Sequence, residues 1–418
     1  MRVLALSQYF IPEVMPTAAR VHALASTLAE RGHDVEVISE VPNHPQGVVH
    51  EGYRHKLVTH RQLDRFRATY VWVHTRPVKT TRTRLAFYGS YALLSAIVGA
   101  ARRRPDVVFA VSPPLPVAAA AATVAARHRV PWVMDVLDLW PEAPAAMGEL
   151  SNPLMLRLAE RLESRLYRSA AAITPVTESF REAIAAKVSD PHKVTVVPIG
   201  TSRLWLDGAD LDVDRNDLGL PADRFVWCFA GNVGKAQGLE AAVDAAALLD
   251  DRFHLVILGN GPARDALERR AANGPPGAIE FRDQVPPDQA RRYLRASDAL
   301  LVPLAPGPAF ESWVPSKLFD FCAVGRPVVL AARGESERLV RESAAALAVP
   351  PGEPQPLARA IRELERDARL RETIAYSGKR FAVAHRSERQ IKRLAHLLEG
   401  VADSRLPRSN GHSRNSPS

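Results

Sequence analysis

Short β-branched runs alternate with Ala- and Leu-rich helical stripes along most of this chain, and the alternation stops and restarts once. Residues 3–7 read as a buried strand. Val21, Leu24, Ala25 and Leu28 then fall at helical spacing, and Gly32 ends that helix. Further strands are predicted at 35–39, 107–111, 132–135 and 172–176, with helices near 116–127 and 153–168 between them. Residues 42–80 are polar and read as a strand excursion at the sheet edge. The pattern pauses at 197–200, and residues 201–224, rich in Asp, Gly and Pro, read as a linker. It resumes with strands at 225–230, 254–258, 278–281, 299–302 and 328–330, and with helices at 239–249, 263–272, 353–367 and 387–399. Strands that alternate with helices imply parallel, doubly wound sheets. The expectation is an α/β protein of two such domains facing a cleft, with ligands at the carboxyl ends of the strands.

At 418 residues the chain is long enough for two cores. Its two cysteines, Cys228 and Cys322, lie in apolar runs and read as buried thiols of a reduced compartment. The opening apolar run is too short for a secretory leader, so a cytoplasmic protein is expected. The net charge of +9 is arginine-rich and scattered. Without zinc-finger spacing or exposed aromatics among the basic residues, it points to anionic substrates or an anionic membrane more than to nucleic acid. Residues 85–101 carry no charge and are flanked by arginines. They read either as a buried core helix or, over 82–104, as a peripheral membrane contact on the inner face of the cytoplasmic membrane.

Two turns carry anion-binding chemistry. In Glu311-Ser312-Trp313-Val314-Pro315-Ser316-Lys317 a polar loop runs into a short apolar helix that Gly325 stops. Free N–H groups, a hydroxyl that can cap and a cation meet there, which suits a phosphate; an ordinary capped helix with a surface lysine would look the same. Gly231-Asn232-Val233-Gly234-Lys235-Ala236-Gln237-Gly238 joins a strand to a helix without the ending of a P-loop. Together the two fit a diphosphate. Gly259-Asn260-Gly261 forms a turn beside the same cleft, and the stretch from Arg282 to Val285 is placed to offer backbone groups to a base. No G-x-G-x-x-G follows a strand, which disfavours a dinucleotide oxidoreductase. In the first half Asp135, Asp138 and Glu142 surround Trp140 at a strand's carboxyl end. One of these acids is expected to line the cleft, unless Asp135 caps the next helix and Trp140 packs.

QYFIPE near the start, SPPLP at 112–116, DVLDLWPE at 135–142, AGNVGKAQGLE, LGNGP, VPSKLFDF and AVGRPVV together resemble the retaining family-4 glycosyltransferases. The likeness is to the branch of acetamido-sugar transferases that builds bacterial O-antigen and capsule. It implies a GT-B fold of two Rossmann-like domains: residues 1–200 for the acceptor, 201–385 for the nucleotide sugar, and a helix at 386–402 returning to the first domain; the polar residues 403–418 read as a disordered tail. It also implies a nucleotide diphosphate sugar as donor, a lipid-linked or saccharide acceptor, no cofactor and no metal. By this resemblance the catalytic candidates are Asp138, Lys317 and Glu311. The donor would be held by Gly231, Asn232, Gly234, Lys235, Gln237, Gly259, Asn260, Gly261, Val285, Ser316 and Asp320, and the acceptor by Glu13, Asp135, Trp140 and Glu142.

The chain departs from the family pattern in places. Asn232 and Gln237 stand where an Arg and a Lys are common, and Lys235 is displaced by two, which makes Lys317 the better phosphate ligand. Of the family's paired glutamates the second matches Asp320, which would reach the ribose, while the first position holds Ser312 with Glu311 next door. These changes leave two other readings open: a non-catalytic sugar-nucleotide-binding subunit, and a nucleotide-sugar epimerase on the same fold.

Overall fold

The computed structural model describes residues 1–13, 15–44, 47–77, 80–148, 150–207 and 213–404. The first half runs β1 (Arg2–Leu6), α1 (Pro16–Glu30), β2 (Asp34–Glu40), β3 (Val58–Leu63), β4 (Phe66–Val71), α2 (Thr81–Ala100), β5 (Val107–Ser112), α3 (Leu115–His128), β6 (Trp132–Val136), α4 (Glu142–Ala146), α5 (Pro153–Ser169), β7 (Ala172–Pro175) and α6 (Glu178–Ala185). The sheet order is β3-β4-β2-β1-β5-β6-β7. Every pairing is parallel except β3 with β4, the edge excursion, which is antiparallel. Strands β5 and β6 are buried along their whole length, because helices cover both faces of the sheet.

The second half runs α7 (Arg203–Leu206), β8 (Phe225–Ala230), α8 (Glu240–Ala247), β9 (Phe253–Leu258), α9 (Arg264–Ala271), β10 (Ile279–Arg282), α10 (Pro287–Ala296), β11 (Ala299–Pro303), α11 (Ser316–Val324), β12 (Val328–Ala331), α12 (Glu335–Ser343), β13 (Leu347–Val349), α13 (Pro354–Arg366), α14 (Ala368–Ala384) and α15 (Ser387–Asp403). The second sheet is wholly parallel, in the order β10-β9-β8-β11-β12-β13. Strand order reverses between β1 and β5 in one sheet and between β8 and β11 in the other. A crevice opens at the carboxyl ends of strands at each such point.

Residues 201–224 are more than a linker: Trp205, Leu206, Val213 and Leu218 pack on the second domain's core, and Leu220 is part of it. Residues 208–212 and 405–418 lie outside the described residues, and the expected tail at 403–418 is corrected at its start, because Asp403 is the last residue of α15. Helix α15 returns to the first domain, where Ile391, Leu394, Ala395 and Leu398 join the core that contains Val21 and Leu24 of α1. The chain therefore crosses between the halves twice. The crossings pair through the Thr201 N–H donating to the His385 carbonyl and the Ser387 N–H donating to the Thr201 carbonyl, both at 2.8 Å. On the other flank Trp313 packs against both cores. Thr177 Oγ1 donates there to the Ser312 carbonyl at 3.2 Å, and Ser179 Oγ to Glu335 Oε2 at 2.9 Å.

Candidate active site

The two predicted anion turns meet in the second domain. Helix α11 opens at Ser316 after Pro315, which makes no side-chain cap hydrogen bond, so Ser316 does not cap. The Leu318 N–H donates to the Pro315 carbonyl at 2.9 Å, which leaves the N–H groups of Ser316 and Lys317 for another acceptor. Ser316, Lys317 and Asp320 share one face of α11 by helical spacing, while Leu318, Phe319, Phe321 and Cys322 are buried behind them. Lys317 reaches back over the end of β8, its ammonium 4.2 Å from the centre of the Phe229 ring. Among the described residues no carboxylate pairs with it, and burial lowers its pKa to about 8. Burial likewise raises the Asp320 carboxyl to about 7, although Oδ1 accepts the Ser202 N–H at 3.4 Å.

Two glycine turns form the floor. Gly259 has φ +147, and a β-carbon there would stand 1.9 Å from the Gly231 carbonyl oxygen. Only glycine allows that approach, and a β-carbon on Gly261 would stand 2.3 Å from the Val233 carbonyl oxygen. The Val233 N–H donates to the Asn260 carbonyl at 2.9 Å, which locks the turns together. Gln237 Oε1 accepts the Gly234 N–H at 3.1 Å, so this amide braces its own loop, whereas Asn232 and Lys235 are exposed. Arg264 was not anticipated. Its Nη1 donates to the Gly259 carbonyl at 3.2 Å and to Asp283 Oδ1 at 2.6 Å, and also pairs with Asn260 Oδ1, clamping the ends of β9 and β10. Val285 packs half-buried beside them. Glu311 is exposed in the loop between β11 and α11, where it lines a small hollow with Gly307, Phe310 and Arg333.

In the first domain the acidic loop divides. Asp138 is half-buried, with Oδ1 buried and without a hydrogen-bond partner. Burial raises its carboxyl to about 7, against a lowering hydrogen bond from the Leu139 backbone, with Glu142 adding to the rise. Trp140 is half-buried, its ring edge-on to Tyr88 at 5.8 Å between centres. Glu142 is exposed and pairs with Lys187 at 2.7 Å. Asp135 is a correction: it neither faces the cleft nor caps a helix. It has no exposed surface, and Arg20 of α1 donates to both its oxygens at 2.7 and 3.0 Å, with Thr174 Oγ1 a third donor at 2.7 Å. Arg20 also donates to the carbonyls of Val197 and Pro198, both at 3.1 Å, and so holds the crossover. Its partnership was legible in part, because Arg20 stands four and eight residues before Leu24 and Leu28 on the buried stripe. Glu13 is a second correction. It is buried, and Oε1 accepts the N–H groups of Asn43 and His44, both at 2.8 Å, which fixes the loop after β2.

Residues 17–200 match the family described as "Glycosyl transferase 4-like domain", and residues 224–367 the one described as "Glycosyl transferases group 1". The chain belongs to the family-4 glycosyltransferases. Among relatives of this transferase, WcaI of Escherichia coli (strain K12), named for glycosyl transfer in colanic acid biosynthesis, is 27% identical over 349 residues, 81% of this chain and 84% of its own. A D-inositol 3-phosphate glycosyltransferase of Thermomonospora curvata is 26% identical over 298 residues, 66% of this chain and 68% of its own. HepE of Anabaena, solved in complex with UDP and glucose, superposes with a TM-score of 0.70 at 18% identity over 96% of this chain and 100% of that one. An α,α-trehalose-phosphate synthase from Burkholderia xenovorans gives 0.73 at 14% identity over 96% and 99%. The likeness to these structures gives the fold, which is GT-B.

For a glycosyltransferase the second-domain geometry has a direct chemical meaning. An uncapped helix start, an ammonium without a carboxylate partner among the described residues and glycine backbone converge on one crevice, an arrangement suited to an anionic group. Among the described residues no three His, Cys, Asp or Glu side chains come together as metal ligands. The candidates split between two surfaces: Lys317, Ser316, Asp320, Glu311 and the glycine turns in the second domain, and Asp138, Trp140 and Glu142 in the first.

Proposed function

We propose that this transferase moves a hexosyl group, in line with its branch an N-acetylated one, from a nucleotide diphosphate sugar to a lipid-linked or saccharide acceptor in surface polysaccharide assembly, with retention at the anomeric carbon. The observation that carries the reading is the ammonium of Lys317, held 4.2 Å from the Phe229 ring at the carboxyl end of β8 without a carboxylate partner among the described residues. The donor diphosphate would take that charge and the N–H groups of α11. Asp320 would hold the ribose, Glu311 the donor sugar, and Asp138 the acceptor hydroxyl near the anomeric carbon. Same-face attack lets the leaving phosphate oxygen accept the acceptor's proton, so the protein contributes orientation and charge stabilisation. The names of relatives in colanic acid and lipopolysaccharide core biosynthesis, and the UDP and glucose bound to HepE, support this reading.

We also place the first domain against the membrane. No helix among the described residues is long and apolar enough to cross one. Leu85, Leu93 and Ile97, at four- and eight-residue spacing, nevertheless make an exposed apolar stripe on α2, and Leu154 and Leu158 are exposed on α5. These are five of the twelve exposed large apolar side chains among the described residues, and α3 packs between the two helices, so they form one layer. Arg157, Arg161, Arg165 and Arg168 run exposed along α5 beside them. Apolar side chains rimmed by arginine fit the interface of an anionic bilayer.

The deciding experiment is a panel of nucleotide sugars incubated with purified protein, scored for free nucleoside diphosphate with and without a bacterial lipid extract. Release that requires one donor and the lipid fraction is expected. Donor binding without release would favour a non-catalytic subunit, and interconversion of donors without acceptor an epimerase.

A further inference from the structure

A cavity of about 400 Å³ opens at the amino ends of β1, β2 and β4, the edge of the first sheet opposite the crevice. We propose that it binds a phosphoryl group and gives the protein a second anion site. The seven residues of β2 separate it from the strand ends at the crevice by about 20 Å, at roughly 3.3 Å per residue. It would hold its ligand whatever group the crevice transfers.

The lining brings together Arg2, Arg61, Arg67, Arg102 and Arg103 from three strands and the segment after α2, with two acids, Asp34 and Glu36. Both acids are engaged within the wall. Asp34 accepts Arg2 Nε at 3.0 Å and Arg67 Nη2 at 3.1 Å, and the Arg2 guanidinium holds its carboxyl below the ordinary value. Glu36 Oε1 accepts Arg102 Nε at 2.9 Å and Thr69 Oγ1 at 2.7 Å. Asp106, outside the lining, accepts the Arg2 backbone N–H at 2.6 Å. Arg61 and Arg103 have no carboxylate partner among the described residues; Arg61 lies 5.5 Å from the centre of the Tyr53 ring, and Arg103 is exposed. Five guanidinium groups less two carboxylates leave three positive charges, before His60 in the same lining is counted. Like charges gathered in one concavity repel, and a bound anion relieves that repulsion. A phosphate monoester carries about −1.5 to −2 at pH 7 and three acceptor oxygens, which suits guanidinium groups that approach from several sides. A single carboxylate would leave most of the excess unbalanced. The volume falls within the roughly 300–1,000 Å³ of small-molecule sites, so a sugar phosphate fits. A phosphomonoester lipid headgroup offers the same chemistry, and the exposed stripe of α2 ends at Ile97, five residues before Arg102.

The test is a calorimetric titration of the full chain with glucose 6-phosphate, glucose and glucuronate, alongside sedimentation with phosphatidylcholine vesicles that do or do not contain phosphatidic acid. The chain carries Lys317→Ala throughout, so that the crevice ammonium does not contribute. Each measurement is repeated with Arg61→Gln, with Arg103→Gln and with both. Arg65→Gln with Arg127→Gln is the control, because it removes two charges from exposed arginines outside the cavity. Binding of glucose 6-phosphate in preference to glucose and glucuronate is expected, weakened about 10- to 100-fold by either cavity variant, the range of a charge-assisted contact, and unchanged in the control. That result assigns a soluble phosphoryl ligand. Sedimentation that requires phosphatidic acid and is lost in the double cavity variant but not in the control, without binding of glucose 6-phosphate, assigns a lipid headgroup. Both arginines are exposed, so the variants should fold, and either one alone suffices if the other does not. Glucuronate bound as tightly as glucose 6-phosphate, no phosphoryl probe bound in either arm, or affinities that the cavity variants and the control alter alike would overturn the proposal.

Discussion

A β-carbon on Gly231 would stand 2.7 Å from the Nζ of Lys317, so the lysine lies directly across the glycine turn. The two turns, more than eighty residues apart, form one anion site because the glycine leaves room for the cation. If Lys317 holds the leaving diphosphate, Lys317→Ala lowers turnover roughly 10²–10³-fold with the fold intact, the usual loss for one such contact. Diphosphate release by the folded variant checks it; near-wild-type turnover would remove Lys317 from the site.

The same ammonium sets a pH limb. Burial holds its pKa at about 8 in the unliganded protein, so it loses its proton from there upward. The pH profile of kcat/KM, which reports the free enzyme, should fall above about pH 8. In Lys317→Arg the limb should disappear from the measurable range, because a guanidinium stays charged. A limb unchanged in that variant would assign it to another group.

Asp138 links site and stability. Its pKa in the folded protein is about 7 against an ordinary 3.8, so between those values the folded state holds a proton that the unfolded chain has released. Stability therefore falls as pH rises through that window and is level above it. Asp138→Asn should flatten the fall and be more stable at pH 8 by on the order of 1–3 kcal/mol, because the desolvated group no longer has to ionise. Denaturant titrations at several pH values measure this. If Asp138 also serves the acceptor, the stabilised variant should be slow in transfer.

Arg20 and Asp135 make a buried ion pair joining α1 to the end of β6. Arg20→Met should destabilise the protein by about 3–5 kcal/mol, because it leaves the carboxylate buried without its cation. Arg20→Met combined with Asp135→Leu should recover most of the loss. An equal loss in the double variant would mean that packing, and not charge, is what Arg20 supplies.

For the membrane face, Leu93→Gln and Leu158→Gln together should reduce sedimentation with anionic vesicles while leaving the thermal midpoint near wild type, since both side chains are already exposed. Binding should weaken with salt through the α5 arginines. Equal sedimentation of wild type and variant would remove this face as a docking surface.

Much of the fold was legible in order. Strands buried on both faces must be continuous apolar runs, and β8 spans the residues expected of it. Less visible were α10, α12 and α14, which interleave charged residues with a narrow buried face. In α14 the inner face is Ile374, Gly378, Phe381 and Ala382, and Gly378 lies against Cys322 of α11. A glycine that permits close helix contact carries no hydrophobic signal.

The candidate site was legible by residue type at Lys317, Ser316 and the glycine turns, because the chemistry of an anion site requires N–H groups, a cation and small residues. Which acids face a ligand was not. Asp135 and Asp138 stand three residues apart in one motif, yet the first is sealed against Arg20 and the second keeps a buried oxygen without a partner. Glu13 turns inward to the backbone after β2 for the same reason. The sequence by itself determined the alternation, the two crevices and the chemistry that could gather in them. The tertiary structure alone decided which polar groups are spent on one another, because that depends on partners brought together from distant segments.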